Sequence, residues 1–279
     1  PYRSDSCLQF MLESLEDLED QLKSKGGKLY YFLGRPEEMV KRLIESLSID
    51  LVVFNRDYTP YSLKRDQAIE KLCRKNEIAF HSFDDALLHP PSDVLKADGK
   101  PYSVFTPYYR AALELSVLAP RAYPGGKYFT HSIAFAEKES YLHHVLPQRR
   151  EQAKGGRKAA LELLKQNVSH YESVRDFPAL DRTSHLSAHL KFTTCSIREV
   201  YRTWRHETGL IRSLYWRDFF TSIAYFSPRV FGEAFRPAFN DLPWSDDRSQ
   251  FRLWCEGKTG FPIVDAGMRQ LNQTGFMHN

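Results

Sequence analysis

Three short stretches in the second half of the chain carry side chains able to bind a flat, anionic ligand. The first, DFPALDRTSHLSAHLKF (176–192), sets Thr183, Ser184 and Ser187 beside His185, Leu186 and His189, with Tyr171 and Arg175 just upstream. Hydroxyls and free backbone N–H groups at a helix start suit phosphate oxygens, and the same Thr–Ser pair also serves as a plain helix cap. The second, LIRSLYWRDFF (210–220), spaces Ser213, Trp216 and Phe220 by three and four, so they share one helix face while Leu214, Arg217 and Asp218 turn elsewhere. That stripe suits flat apolar rings, with Arg217 below it in reach of a buried anion; core packing is the competing use. The third, WCEGKTGFPIVDAGMRQLNQTGFMHN (254–279), joins a Gly-Lys-Thr-Gly turn to a helix begun by Pro262, in which Asp265 and Arg269 pair at i, i+4. The turn is not a nucleoside-triphosphate loop, which needs an earlier glycine and a preceding strand where Cys255 and Glu256 stand. At the end of the string, the Asn279 amide both donates and accepts, as a polar ring edge requires.

The elements that must position these groups fall into two patterns. In the first half, KLYYFL (28–33), DLVVFN (50–55) and IAFHSF (78–83) read as strands, separated by helices over about 36–47 and 62–75. This βαβαβ order predicts a parallel sheet, and the nearly continuous apolar runs predict strands covered on both faces. No GxGxxG follows any of them, so a dinucleotide on the first βα turn has no support. From His89 to about 139, prolines, glycines and tyrosines recur at turn spacing and predict a connector laid over the surface. Beyond about 151 apolar residues recur at three and four, as in helices. The expected division is an α/β unit at 1–88, a connector at 89–150 and a helical unit at 151–279.

With 279 residues and 42% apolar content, the chain is long enough for two cores. No apolar run of about 18 residues or more and no basic-then-apolar leader is present, so the expectation is a cytosolic or nuclear protein without a membrane span. Cys7, Cys73, Cys195 and Cys255 form no CxxC pair, which argues against a zinc site or a disulfide framework. The net charge of +4 lies wholly in residues 151–279, where 18 Lys and Arg face 14 Asp and Glu. Charge gathered in one half can form a phosphate-neutralising patch.

Taken together, these strings resemble the photolyase/cryptochrome family, and in particular class I deoxyribodipyrimidine photolyases. NRDYTPYSLKRDQAI (55–69) is similar to the family's strand-to-helix segment, GKPYSVFTPYYR (99–110) to its pre-linker signature, 176–192 to its flavin phosphate segment, and 254–279 to its helical flavin domain. The resemblance implies a Rossmann-like α/β domain, here without its first strand, followed by an all-α FAD domain that continues past Asn279. In such photolyases reduced, light-excited FAD passes an electron to a cyclobutane pyrimidine dimer flipped out of DNA, and the electron returns after the dimer splits.

Carried over position by position, the resemblance makes Tyr171, Thr183, Ser184, His185, Leu186, Ser187, Arg217 and Asn279 flavin contacts. It makes Arg175, Ser213, Trp216, Arg217, Phe220 and Asn279 DNA contacts, with Trp216 stacking on the lesion. Trp244 becomes the outer member of an electron-transfer chain. Ser213 stands where dimer-specific enzymes have Glu, which leaves the choice between cyclobutane dimers and 6-4 products open. Leu210 and Phe276 keep an apolar wall where aromatics are common. Tyr61 and Ser62 replace the Asn-Glu of folate-type enzymes, so a folate antenna is not supported and the second chromophore is unknown. The implied partner is UV-damaged DNA, bound by a monomer. A cryptochrome-like blue-light receptor without repair activity and a flavin-free nucleic-acid-binding protein are the alternatives. The expected discriminating feature is one buried cavity on which the Thr183 hydroxyl cluster and the Arg217 guanidinium converge.

Overall fold

A computed structural model describes residues 4–137 and 153–278. The first element is one that the strand-and-helix pattern above did not include: helix α1 (Asp5–Lys23), capped by the Ser4 hydroxyl, which accepts from the Cys7 amide. KLYYFL does not form a strand. Its aromatics find other partners instead, with Tyr30 6.0 Å from Phe129 and Phe32 5.4 Å from Phe135, while the Glu137 N–H donates to the Tyr31 carbonyl at 2.9 Å.

Helix α2 (Pro36–Ser46) starts at its proline as expected. Strand β1 (Leu51–Asn55), helix α3 (Pro60–Lys75) and strand β2 (Ala79–Phe83) then make a parallel pair in the register Leu51↔Ala79 to Asn55↔Phe83. The sheet therefore has two strands among the described residues, rather than three. Its faces are unequal, contrary to the apolar-run prediction. Phe54 and Phe80 meet edge to face at 5.1 Å on the covered side, whereas Leu51, Val53 and Phe83 are about half exposed on the other.

Immediately after β2 the backbone turns inward, and Leu87, Leu88 and His89 are all buried. The connector is not all surface loop. FTPYYRAAL forms helix α4 (Phe105–Leu113), because Phe105, Tyr108 and Ala112 fall at i, i+3 and i+7 and sink into the main core together. That core continues through α5 (Arg157–Leu164), Leu186 and Leu190, the Ser196-capped α8 (Ile197–Thr203) and α9 (Thr208–Phe226). Two short helices, α6 (Tyr171–Val174) and α7 (Ser187–Lys191), frame the hydroxyl-rich segment. Helices α10 (Arg248–Glu256) and α11 (Pro262–Thr274) pack on each other, and the Asp265 carboxylate closes the Gly-Lys-Thr-Gly turn by accepting from the Thr259 and Gly260 amides.

A small parallel sheet with many helices is thus the observed architecture. No helix among the described residues is long and apolar enough to cross a membrane. The described residues hold no His, Cys, Asp or Glu group that could bind a metal, and the four cysteines are free.

Candidate functional site

The longest helix of the second half, α9, organises the site by presenting two distinct faces. Its buried stripe runs Leu210, Ile211, Leu214, Tyr215, Asp218, Phe219 and Ser222, and its outer stripe includes Arg212, Trp216 and Phe220. Trp216 and Phe220 share a face as their spacing requires, with ring centroids 5.4 Å apart. The nearest ring to Trp216 comes from another element: Phe105 of α4 lies face to face with the indole at 3.6 Å and 8°.

Ser213 and Tyr171 are brought together across α6 and α9. The Ser213 hydroxyl donates to the Gly209 carbonyl at 3.1 Å and also meets the Tyr171 phenol, whose pKa is raised chiefly by burial. Arg175, one turn further, has its Nε ion-paired with the Asp176 carboxylate at 3.6 Å. The Thr183–Ser187 segment is bent by left-handed residues at Asp181 and His185. Its His185 Nε2 lies 2.9 Å from an Asp181 oxygen, and its ring rests against Phe276 at 4.7 Å. The Leu186 amide donates to the Ser184 hydroxyl at 3.5 Å, Leu186 itself is buried, and Ser187 opens α7. Thr183 Oγ1 is buried with no partner.

Arg217 is turned onto backbone carbonyls. Its guanidinium donates to the Ala86 carbonyl and, at 3.2 Å, to the Leu190 carbonyl, and burial lowers its pKa. The expected convergence of Thr183 and Arg217 on one cavity finds no support in these contacts. The physical reason is helical phase: Arg217 precedes Asp218 on the side of α9 that grips the 86–89 segment. Three of the clefts among the described residues have volumes of about 1220, 1030 and 700 Å³, and neither Thr183 nor Arg217 lines any of these three. His185 and Phe276 border the second. The first of the three lies at the carboxyl ends of both strands, where Asn55, Phe83 and Asp84 face Arg121, Arg157 and Arg198. Trp244 is 76% exposed, and Asn279 lies outside the described residues.

Asp218 is a buried carboxylate for which the sequence argument had no role. It is 1% exposed, and its Oδ2 accepts from the amides of Leu88 and His89 at 2.9 and 3.1 Å. Burial pushes its pKa up to about 7 against the opposing pull of those amides and of Arg217. A carboxylate inside an otherwise apolar stripe was the signal that could have revealed it.

The comparisons agree with these motifs. The family model for DNA photolyase matches residues 3–124, and that for the FAD binding domain of DNA photolyase matches 210–279. The deoxyribodipyrimidine photo-lyase of Alkalihalophilus pseudofirmus is 33% identical over 97% of this chain. The chain belongs to the DNA photolyase/cryptochrome family. Its overlap with that relative covers 60% of the relative's length, and 61% for the photo-lyase of Halobacterium salinarum, which is 31% identical over 97% of this chain. Among solved structures, an archaeal photolyase from Sulfolobus tokodaii with two FAD molecules superposes with a TM-score of 0.89 at 38% identity, covering 100% of this chain and 62% of that one. A class III photolyase from Agrobacterium tumefaciens gives 0.89 at 31% identity, covering 98% and 61%. A Synechocystis cryptochrome, 23% identical with a TM-score of 0.81 over 99% of this chain and 62% of that one, shares the fold.

Proposed function

We propose that the protein is a deoxyribodipyrimidine photo-lyase, a lyase that uses FAD and light to reverse cyclobutane pyrimidine dimers in DNA. The observation that carries this reading is the match of nearly the whole chain to proteins of that name. Residues 1–88 form its α/β domain, 89–150 the connector and 151–279 part of the helical FAD domain.

The donor set suits an FAD phosphate. The buried Thr183 hydroxyl has no hydrogen-bond partner within the protein, and a phosphate oxygen supplies an acceptor. Thr183, Ser184 and Ser187 would hold that end, with His185 and Leu186 shaping the loop, Tyr171 beside it, and Asn279 at the ring edge. Arg217 contributes through the floor it ties to Ala86 and Leu190. When bound, FAD supplies light absorption and one-electron redox chemistry. On the DNA side, Arg175 neutralises phosphate, while Ser213, Trp216 and Phe220 meet the lesion and Trp244 relays electrons from the surface. The large cleft at the strand ends suits a second chromophore, since ligands of open α/β sheets sit beyond the carboxyl ends of the strands. The Sulfolobus relative, described with a second FAD and a novel light-harvesting cofactor, favours a flavin there over a folate.

The test takes the full-length protein, purified with its cofactor. A flavin band near about 450 nm and light-dependent restoration of a dimer-containing oligonucleotide are expected. A flavin band without repair under reducing conditions assigns the protein to blue-light signalling, and absence of the band leaves only nucleic-acid binding. Thr183→Val leaves stability unchanged and weakens FAD retention roughly tenfold or more, in line with a hydrogen bond to a charged group at about 1.5–3 kcal/mol. Equilibrium dialysis of FAD measures it, and unchanged affinity removes Thr183 from the site.

A further inference from the structure

We propose that Phe105 is the positioning residue that presets the ring plane of Trp216 for stacking on a flipped base, a role that rests on the lesion-binding reading of Trp216. Trp216 is 37% exposed, and its own helix meets it only at an edge and with an exposed partner: buried Phe219 lies edge to face at 5.7 Å, Ser213 is small, and Phe220 is itself 61% exposed. Phe105 is different in kind. It is 4% exposed and lies in the main core, stacked on Tyr109 at 5.4 Å and 11° and edge to face with Phe219 at 5.7 Å. The Arg212 guanidinium lies over the Phe105 and Tyr109 rings at 5.7 and 5.9 Å. The Phe105 plane is thus fixed by three neighbours, and the indole copies it at 3.6 Å and 8°.

A partly exposed tryptophan that receives a ligand ring loses side-chain freedom on binding unless something has already fixed it. Phe105 removes that loss by covering one indole face with a rigid ring. The consequence is selective: the platform helps only a ligand whose ring reaches Trp216. A duplex held through phosphates alone gains nothing from it.

The experiment measures dark equilibrium binding of the full-length, FAD-loaded protein to a dimer-containing oligonucleotide and to its undamaged counterpart. Phe105→Leu, which retains most of the volume without a ring plane, is expected to reduce the preference for the dimer about tenfold, with affinity for the undamaged strand unchanged. Phe105→Tyr restores most of the preference. Full preference in Phe105→Leu, alongside its loss in Trp216→Leu, overturns the role of Phe105 while leaving the lesion reading intact. No preference in the unsubstituted protein, or no effect of Trp216→Leu, overturns the lesion reading itself. In unsubstituted protein labelled with fluorotryptophan, the Trp216 resonance should show the restricted motion of buried Trp204 rather than that of exposed Trp244. A Trp216 ring as mobile as Trp244 overturns the proposal without any variant.

Discussion

Asp218 shows how one side chain can couple the pH response of the fold to the placement of a site. Its carboxyl is buried in the α9 stripe and bonded to the Leu88 and His89 amides, while Oδ1, His89 Nε2 and the Ser222 hydroxyl are buried without partners. Because its folded value of about 7 lies above the ordinary 3.8, folding favours the protonated acid. The stabilisation from this group is complete below about pH 4 and is lost as pH rises to about 7. The loss has an upper bound of about 4 kcal/mol from the size of the shift. Asp218→Asn, whose amide oxygen can still accept both N–H groups, should flatten this part of the stability curve. Urea unfolding at pH 5 and pH 8 checks it, and an identical pH difference in variant and parent rules out Asp218 as the source.

At the scale of elements, the beginning of α5 is completed by α1. The Glu13 carboxylate accepts from the Gly155 amide at 2.6 Å, Ser14 from Gly156 at 3.0 Å, and Asp17 from Arg157 at 2.7 Å. Acceptors from another helix thus satisfy N–H groups left open at a helix start. The contact requires glycine: a Cβ on Gly155 would collide with the Phe10 carbonyl, and Gly156 has a φ of +99°. Gly155→Ala should cost about 1–3 kcal/mol through overpacking, and Asp17→Ala about 1 kcal/mol as a lost cap. Gly232→Ala, which meets no atom within 4 Å, serves as the neutral control. Chemical denaturation distinguishes them, and a Gly155→Ala protein as stable as the control removes the close approach as a constraint.

Across the whole molecule, the segment leaving β2 is the joint between the sheet and the helices. Arg198 binds the Asp85 carboxylate and the Asp84 carbonyl, Arg217 the Ala86 carbonyl, and Asp218 the Leu88 and His89 amides. Cations spent on this joint are withheld from a ligand, so the excess charge of residues 151–279 acts through other groups. Arg175 is one of them: at 37% side-chain exposure, it is paired only with the exposed Asp176 carboxylate at 3.6 Å. For DNA binding through phosphates, affinity falls steeply with salt, and Arg175→Ala should lower the slope of log K against log salt by about 1 while leaving lesion preference intact. Binding titrations over a salt series measure this, and an unchanged slope excludes a phosphate contact at Arg175.

The local pattern was sufficient for α2, β1, α3 and β2, because Pro36 sets one helix start and the β-rich runs have no competing period, although α3 begins at Pro60, two residues before the expected 62. It was sufficient for the shared face of Trp216 and Phe220 as well, since helical spacing alone puts i and i+4 together. The same pattern misassigned KLYYFL, whose apolar residues suit a strand and an aromatic cluster equally, and it treated FTPYYRAAL as connector. Phe105 beneath Trp216, Asp17 at the start of α5 and the Arg217 guanidinium turned onto Ala86 all join residues far apart in the chain. Periodicity therefore determined most local elements, and the resemblance of four strings to known ones pointed to the family. Which groups meet was decided only when the chain closed on itself, because direction and distance between remote side chains are properties of packing that no local spacing contains.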